Sequence, residues 1–412
     1  MNVEELVRDA LREQAAEQAP ARTGFADRVL AVRRRRRTRG FVAVATATAA
    51  VVAVAVGVPL LDSGKDDVHP AGIIQQGGVN AHPDQSPPRD LIGAGEAVMA
   101  AYYTEKIHYT SADKGTAVRT YWLLDPKTGT YEKDPRWSFV AVAPGLRTAA
   151  VLEKNLPADR IGLLDLATGK VERWIQVEHG VGGLAFSSDG SRLVATTYDR
   201  NPDGREKVKS TVDGKESGPL ESVYRDAIRS GFHILDVTSG QSGPWVPVAR
   251  DRDIIGRKDF SFSRAGDRVY SQIIGGRDGM QQFYDLKGAK APAPANERHL
   301  RSDVGARLSP NGRLAALGLE KEVPGSPGKS YSSIRDPLTD KEITTVRGGQ
   351  LLAWVDDKRL IGWERVTSLE EAYRAQLVLV TIGSDKVVPL SGVREPSDST
   401  DRQEWEPVFA RR

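Results

Sequence analysis

The sequence predicts an all-β fold, and its turn-forming residues and two repeated motifs are the observations behind this prediction. With 40 Gly and 23 Pro among 412 residues, the chain has the frequent turns that are typical of many short strands. Two strand-and-turn motifs recur with a period of about 45 residues, and two hairpins per period amount to four strands. A lone four-stranded sheet cannot bury both of its faces, so we expect the sheets to stack in a closed ring, a β-propeller.

The first motif is an apolar strand, a turn that contains Ser and Gly, and a second apolar strand. Its clearest copies begin at Leu184, Phe260 and Ala306, and weaker copies begin at Val140 and Leu352. Aligned copies stand 44, 76, 46 and 46 residues apart, as measured between Val142, Phe186, Phe262, Leu308 and Trp354. The single long spacing predicts an insertion of about 30 residues in the third unit.

The second motif is a strand that ends in Asp and is followed by a Thr-Gly-like turn. It occurs at Asp125, Asp165 and Asp236 and is degraded at Asp285 and Asp336. Asp and Gly at these positions favour the positive φ angles that close a tight hairpin. A carboxylate that recurs at one position of every unit is therefore expected to form the turn rather than to catalyse a reaction.

Together the motifs divide the chain after Leu91 into six expected blades. Their approximate ranges are 91–137, 138–178, 182–249, 259–295, 304–347 and 350–391. The apolar tail that begins at Trp405 is expected to add a strand that joins the two ends of the ring. Seven blades are the alternative, if that tail pairs with the region 68–90 as an extra sheet.

The strand with its Ser-x-Asp-Gly turn, clearest at Ser187–Gly190, resembles the WD40-like repeats of bacterial TolB-type propellers. The layout of the whole chain resembles the membrane-anchored WD40-repeat proteins of actinomycetes. This resemblance implies a propeller for about three-quarters of the chain. It implies no particular activity, because propellers host many functions on one scaffold.

The N-terminal part predicts a membrane anchor before the propeller. Residues 1–39 are expected to form a cytoplasmic segment with a short amphipathic helix, and they contain a basic block made of Arg33, Arg34, Arg35, Arg36, Arg37 and Arg39. Residues 40–61 are expected to form a transmembrane helix, since the 21 residues from Phe41 to Leu61 are uncharged and span roughly 30 Å. The positive-inside rule then places the N-terminus in the cytoplasm and the propeller outside, so the cytoplasmic membrane is an expected partner.

Two alternatives for this apolar segment stay open, a cleaved signal peptide and a soluble helix. Residues 62–90 are expected to be an extracytoplasmic linker, because they are polar and rich in Pro and Gly. Residues 91–412 are expected to form the propeller.

The charge distribution argues against nucleic-acid binding. Residues 1–40 contain ten Arg and six Asp or Glu, a balance of +4, whereas the remainder has 48 Lys and Arg against 49 Asp and Glu, a balance of −1. The propeller region therefore has no basic excess for a nucleic acid. The absence of cysteine excludes disulfides, thiolate metal sites and cysteine nucleophiles.

The insertion near 199–230 is the best sequence candidate for a specificity loop, because long excursions from a rigid scaffold often carry binding. It contains a partial calcium-loop pattern, with weak candidate ligands at Asp199, Asn201 and Asp203. The acidic residue that such a loop needs at its twelfth position is replaced by Ser210. We therefore expect no catalytic residue, no cofactor and no metal, with calcium as a minor alternative.

The sequence thus predicts a membrane-anchored, non-enzymatic binding module for a protein, a peptide or a cell-envelope ligand. One alternative is a transmembrane sensor, in which the N-terminal helix engages a cytoplasmic regulator. The other is a carbohydrate-active enzyme with paired carboxylates in the channel, and the positions of the carboxylates around that channel distinguish it from a binding module.

Overall fold

The structure is a computed structural model. The described ranges are 77–207, 211–212, 215–216, 220–221, 228–249, 256–273, 280–322, 329–365, 375–394 and 404–412. Within these ranges every regular element is a strand.

The strands are numbered here in chain order. Residues 79–165 contain β1 (Val79–Asn80), β2 (Gly93–Ala94), β3 (Ala97–Ser111), β4 (Lys114–Asp125), β5 (Thr130–Asp134), β6 (Trp137–Val142), β7 (Thr148–Glu153) and β8 (Ala158–Asp165). Residues 170–247 contain β9 (Lys170–Phe186), β10 (Arg192–Tyr198), β11 (Gly204–Lys207), β12 (Thr211–Val212), β13 (Lys215–Glu216), β14 (Leu220–Glu221), β15 (Arg229–Asp236) and β16 (Val246–Pro247). Residues 261–322 contain β17 (Ser261–Phe262), β18 (Arg268–Gln272), β19 (Gln281–Asp285), β20 (Lys290–Ala291) and β21 (Ala315–Glu322). Residues 330–411 contain β22 (Ser330–Arg335), β23 (Glu342–Arg347), β24 (Gln350–Trp354), β25 (Arg359–Arg365), β26 (Ala375–Thr381), β27 (Val387–Arg394) and β28 (Trp405–Arg411).

These strands form antiparallel sheets of unequal size. The first sheet runs β1-β2-β3-β4-β11-β14, with β28 added to β3 and β5 added to β4. The second runs β16-β15-β10-β9-β8-β7-β6, and three smaller sheets follow as β17–β20, β21–β23 and β24–β27. The short pair β12 and β13 stands apart.

The repeated Asp turns form as the sequence predicts. Asp125 Oδ1 accepts a hydrogen bond from the backbone N–H of Lys127 at 2.8 Å, and the carboxylates of Asp165, Asp236 and Asp285 accept equivalent bonds from their own turns. The glycines of these four turns have φ between 65° and 87°. The interpretation of these carboxylates as turn formers is confirmed.

Contacts link the turns of the first motif to one another in chain order. The hairpin at Gly95, between β2 and β3, and Arg411 of β28 complete the ring. The pairs are Arg411 with Gly145, Pro144 with Gly190, Ser188 with Arg264, Arg264 with Ser309, Asn311 with Asp357, and Val355 with Gly95. This ring is a propeller-like arrangement of successive sheets around an axis.

The predicted fold, a six-bladed (alternatively seven-bladed) β-propeller preceded by a transmembrane helix and a short N-terminal helix, is wrong: the described strands do not divide into six four-stranded blades. The described part of the chain is all-β, and no helix in it is long and apolar enough to cross a membrane. The amphipathic helix of residues 1–39 and the transmembrane helix of residues 40–61 were both assigned to positions outside the described residues. The predicted location at the cytoplasmic membrane stays a prediction.

Strand length explains why the sheets are not equal four-stranded blades. β9 pairs with β8 through its first half and with β10 through its second half, so two expected blades become one sheet of seven strands. β3 and β4 contain 15 and 12 residues. The first residues of β4, Lys114 to Thr116, pair with β3 on one side and with β11, from the predicted insertion, on the other. The first sheet therefore includes part of the third expected unit.

The tail forms the joining strand that its sequence suggests. β28 pairs with β3 from Trp405 opposite Thr104 to Arg411 opposite Ala97. β1 pairs with β2 in the same sheet, so among the described strands the tail and residues 79–80 extend the first sheet and do not build a seventh. Residues 77–90 lie within the range assigned to the linker, but they bond to β27. The His82 N–H donates to Leu390 C=O at 2.8 Å, and Gln85 C=O accepts a bond from Gly392 N–H at 2.7 Å.

Candidate functional site

A cavity of about 660 Å³ lies between the strands that surround the axis of the ring. Its walls come from β6, the last part of β9 and β28, and its ends come from the Ser-Gly turns and from an arginine-carboxylate network. These strands are far apart in sequence, so the cavity between the first and second sheets forms only in the folded chain. We call it the axial cavity.

The walls of the axial cavity are largely apolar. Phe139, Phe186, Val408 and Phe409 line it and are only partly buried, although each packs against a hydrophobic cluster on its other side. Apolar side chains left partly exposed in a concave site are a common feature of ligand sites.

The strands that line the axial cavity also have edges that lack a partner strand, although Arg119 Nη1 donates to Ser138 C=O of β6 at 3.5 Å and Gly145 N–H donates to Arg411 C=O of β28 at 2.8 Å. In the described part of the chain, β6 pairs only with β7, and β28 pairs only with β3. A strand with one unpaired edge offers backbone N–H and C=O groups to a further strand.

One end of the axial cavity is formed by a buried network of charges. Asp203 accepts two hydrogen bonds from Arg119, at 2.8 and 3.0 Å, and two from Arg257, both at 2.8 Å. Arg119 and Arg257 line the cavity, and the Asp203 side chain is only 4% exposed behind them. Such bidentate pairs fix both the position and the orientation of the guanidinium groups.

The two arginines determine the protonation state of Asp203. Burial by itself raises the pKa of this carboxyl, but the charges and hydrogen bonds of Arg257 and Arg119 outweigh burial and hold the pKa below its ordinary value. Burial likewise works against the charge of Arg257, but Asp259 and Asp203 raise its pKa well above the ordinary value. The network is therefore ionised at neutral pH.

Asp259 extends this network along the wall of the cavity. It accepts a bond from Arg257 Nη1 at 2.9 Å and one from the Tyr198 hydroxyl at 2.7 Å. Burial, and then the adjacent Asp259 charge, raises the pKa of Tyr198 well above its ordinary value, so its hydroxyl stays a donor. Gly183 makes room for this carboxylate, since a Cβ at this position would clash with Asp259 Oδ1.

Local structure explains how the three parts of the network meet. Side chains of β4 alternate between buried and half-exposed, and Arg119 falls on the buried face between Ala117 and Tyr121. Asp203 lies in the turn before β11, where its backbone C=O accepts a bond from Ala117 N–H at 2.9 Å. The pairing of β11 with β4 therefore places the Asp203 carboxylate beside Arg119.

The weak calcium candidates do not assemble as a ligand set. Asn201 Oδ1 accepts a bond from the Asp203 backbone N–H at 2.9 Å, and both Asp203 carboxylate oxygens are taken by arginines. The backbone N–H of Asp199 donates to Ile228 C=O at 2.9 Å. No group of three or more His, Asp or Glu side chains in the described ranges is placed to hold a metal. The predicted topology residues, Arg33 to Arg37 and Arg39, lie outside these ranges.

Two further concave sites flank the same strands. A cavity of about 230 Å³ shares Phe409, Ala410 and Arg411 with the axial cavity and is lined on its other side by residues near β24. A groove of about 420 Å³ lies between the turns at Asp125 and Thr168. β28 therefore separates two cavities that both face the axis.

Arg119, Arg257 and Asp259 were not recognised in the sequence. One signal was present, since Arg119 stands at a core position of the alternating stretch Ala117–Leu123. An arginine at such a position requires a buried counter-charge. Nothing in the sequence identifies that counter-charge as Asp203, which lies 84 residues away.

No family model matches the sequence, and no curated protein matches it. Similar solved structures include TolB from Acinetobacter baumannii, with 15% identity, coverage of 76% of this chain and 66% of that chain, and a TM-score of 0.36. A nidogen/laminin complex gives 9% identity, coverage of 75% and 98%, and a TM-score of 0.38. Hydrazine synthase from Kuenenia stuttgartiensis gives 11% identity, coverage of 66% and 68%, and a TM-score of 0.34. At this level of similarity, function must be argued from the site itself.

Proposed function

We propose that this chain is a non-covalent binding protein that holds an extended segment of a partner protein in the axial cavity. The observation that carries the proposal is the cavity of about 660 Å³ whose walls combine partly exposed apolar side chains with unpaired strand edges. An extended peptide uses both features, because its backbone pairs with a free edge and alternate side chains enter apolar pockets.

The dimensions of the wall fit such a segment. β6 contains six residues, so its outer edge can pair with a peptide of comparable length, whereas Pro407 deprives β28 of one backbone donor. Phe139, Phe186 and Phe409 then offer aromatic surface to one or two apolar side chains of the peptide. Burying one such side chain contributes about 1.5–3 kcal/mol.

The charges around the axial cavity favour binding over hydrolysis. Of the described residues that line it, Asp259 is the acidic one, and its carboxylate already accepts bonds from Arg257 and Tyr198. Glycoside hydrolysis ordinarily needs two carboxyl groups that face the scissile bond, one of them free to protonate the leaving group. Asp259 and its arginine partner instead form a fixed end wall.

The test is selection of peptides from a phage-displayed library of linear random peptides by the immobilised full chain. We expect wild-type protein to enrich sequences with one or two large apolar residues. The variant Ala141→Phe places a large side chain on the cavity wall and is expected to weaken binding of the selected peptides at least about tenfold, which is about 1.4 kcal/mol.

The matched control is Ala112→Phe, which adds the same side chain at the exposed hairpin between β3 and β4. It is expected to bind the selected peptides like wild type. Two results would overturn the proposal: selection that yields no enriched sequence, or peptides that bind equally well to wild type and to Ala141→Phe.

A further inference from the structure

Arg411, the last residue of β28, occupies a position that both axial cavities share. Arg411 is among the residues that line the cavity of about 660 Å³ and also the cavity of about 230 Å³. Its backbone is held in place, because its C=O accepts a bond from Gly145 N–H at 2.8 Å and the next residue, Arg412, donates to Glu96 C=O at 2.9 Å. The Cα of Arg411 is thus fixed by two of the turns that form the ring.

The guanidinium group of Arg411 is available to a ligand. Its side chain is exposed, and within the described ranges no hydrogen bond or ion pair engages it. The other arginines that line the two cavities are occupied: Arg119 and Arg257 bond to Asp203, and Arg264 Nη1 donates to Ser309 C=O at 2.7 Å.

The charge around the cavities complements an anion. Four arginines line the two cavities; Arg119 and Arg257 are paired with Asp203, Asp259 and Glu105, whereas no described carboxylate is paired with Arg264 or Arg411, which leaves an excess of positive charge. Arg264 and Arg411 carry this excess, and of these two Arg411 has free donors. Complementary charge raises both the rate and the specificity of association.

We infer that the peptide bound in the axial cavity carries a carboxylate that Arg411 binds, next to the apolar side chains that enter the cavity. This inference rests on the proposed function and deepens it, since it gives the bound segment an acidic group at the end of the cavity near the Ser-Gly turns. A planar guanidinium with unoccupied N–H groups binds a carboxylate in a bidentate manner. The carboxylate belongs either to an Asp or Glu side chain or to the C-terminus of the segment.

The experiment repeats the library selection with the full-length variant Arg411→Glu. Wild type is expected to enrich Asp or Glu near the selected apolar residue, whereas Arg411→Glu is expected to lose this enrichment and to favour Lys or Arg there. The matched control is Arg313→Glu, which makes the same charge change at an exposed position of the β-turn near Gly312 that lines neither cavity. It is expected to keep the wild-type preference.

A second measurement identifies the source of the carboxylate. One synthetic peptide of the selected apolar sequence is compared in four forms, with Glu or Gln at the selected position and with a free or an amidated C-terminus. The Arg411→Gln variant is expected to bind the preferred acidic form at least about tenfold more weakly than wild type and to bind the neutral form equally well. The form that loses affinity when neutralised shows which carboxylate Arg411 binds.

The results separate this inference from the proposed function. If wild type selects apolar peptides without acidic residues and binds all four forms equally, the role of Arg411 is wrong while the apolar site stands. An unchanged acidic preference in Arg411→Glu would also refute that role. If nothing is selected by any variant, both the inference and the proposed function fail.

Discussion

Asp203 shows how one residue can organise the charged end of the axial cavity. Its carboxylate joins Arg119 from β4 to Arg257, which precedes β17, while its backbone is bonded to Ala117. Two arginines each donate two hydrogen bonds to this one buried carboxylate. Removing any one of the three side chains leaves a buried charge without its partner, which destabilises the fold.

We expect Asp203→Ala to lower the free energy of unfolding by about 3–5 kcal/mol, because two largely buried arginines would lose their shared counter-charge. Urea denaturation followed by tryptophan fluorescence measures this change. Asp113→Ala, at an exposed hairpin position, is the control and should change the value by less than about 0.5 kcal/mol. A similar small effect of both substitutions would show that the network does not stabilise the fold.

The same residue predicts a pH dependence. Since the folded-state pKa of Asp203 lies below its ordinary value of 3.8, its contribution is present above that value and is lost as pH falls through the lower folded-state pKa. Stability of wild type should therefore fall more steeply below about pH 4 than stability of Asp203→Asn. Parallel curves of unfolding free energy against pH for the two proteins would contradict this assignment.

Among single elements, β28 is the strand that joins the end of the chain to the first sheet and also lines two cavities. It lies on β3 through seven residues, forms the wall between two cavities and carries Arg411. Trp405 fixes its beginning: the side chain is 2% exposed, its ring lies 5.1 Å from that of Trp363, and its Nε1–H donates to Ser86 Oγ at 3.1 Å.

We expect Trp405→Ala to destabilise the protein by about 3–5 kcal/mol, as is usual for removal of a buried large aromatic side chain. It should also weaken peptide binding, because β28 would lose its anchor next to the axial cavity. Chemical denaturation and the peptide-binding assay measure the two effects. Tyr109→Ala, which removes a ring that is 48% exposed, is the control and should leave both unchanged. Unchanged stability of Trp405→Ala would show that β28 is not held by this contact.

The sequence predicted the positions of the strands correctly, but it did not predict how long β3, β4 and β9 are or which strands they pair with. The period of about 45 residues placed the hairpins correctly at Asp125, Asp165 and Asp236. It did not indicate that β9 would pair along both halves, or that β4 would extend to meet β11. Pairing partners depend on edges that become adjacent only after the sheets pack, so periodicity within the chain does not specify them.

At the scale of the whole molecule, closure of the ring links the two ends of residues 77–412. β28 completes the first sheet from the far end of the chain, and the Arg411–Gly145 and Val355–Gly95 contacts close the circle of turns. β28 also forms one wall of the axial cavity, so the strand that joins the two ends is part of the candidate site.

We therefore expect the chain shortened to residue 403 to unfold in more than one step, whereas the full chain unfolds in one. Loss of β28 exposes the edge of β3 that pairs with it and opens the ring, so the remaining sheets become less dependent on one another. Thermal unfolding followed by far-UV circular dichroism and by tryptophan fluorescence should give coincident curves for the full chain and separate curves for the shortened chain. Coincident curves for both would mean that the sheets cooperate without the closing strand.

Local sequence patterns specify that residues after Leu91 form strands, where the hairpins turn, and that the tail from Trp405 adds a strand, because alternation of side chains and the φ requirements of Asp and Gly are local properties. Packing of the sheets establishes which strands pair, that Asp203 lies between Arg119 and Arg257, and that Arg411 lines two cavities. These features join residues tens to hundreds of positions apart, and their energies depend on burial and charge that exist only once the ring has closed.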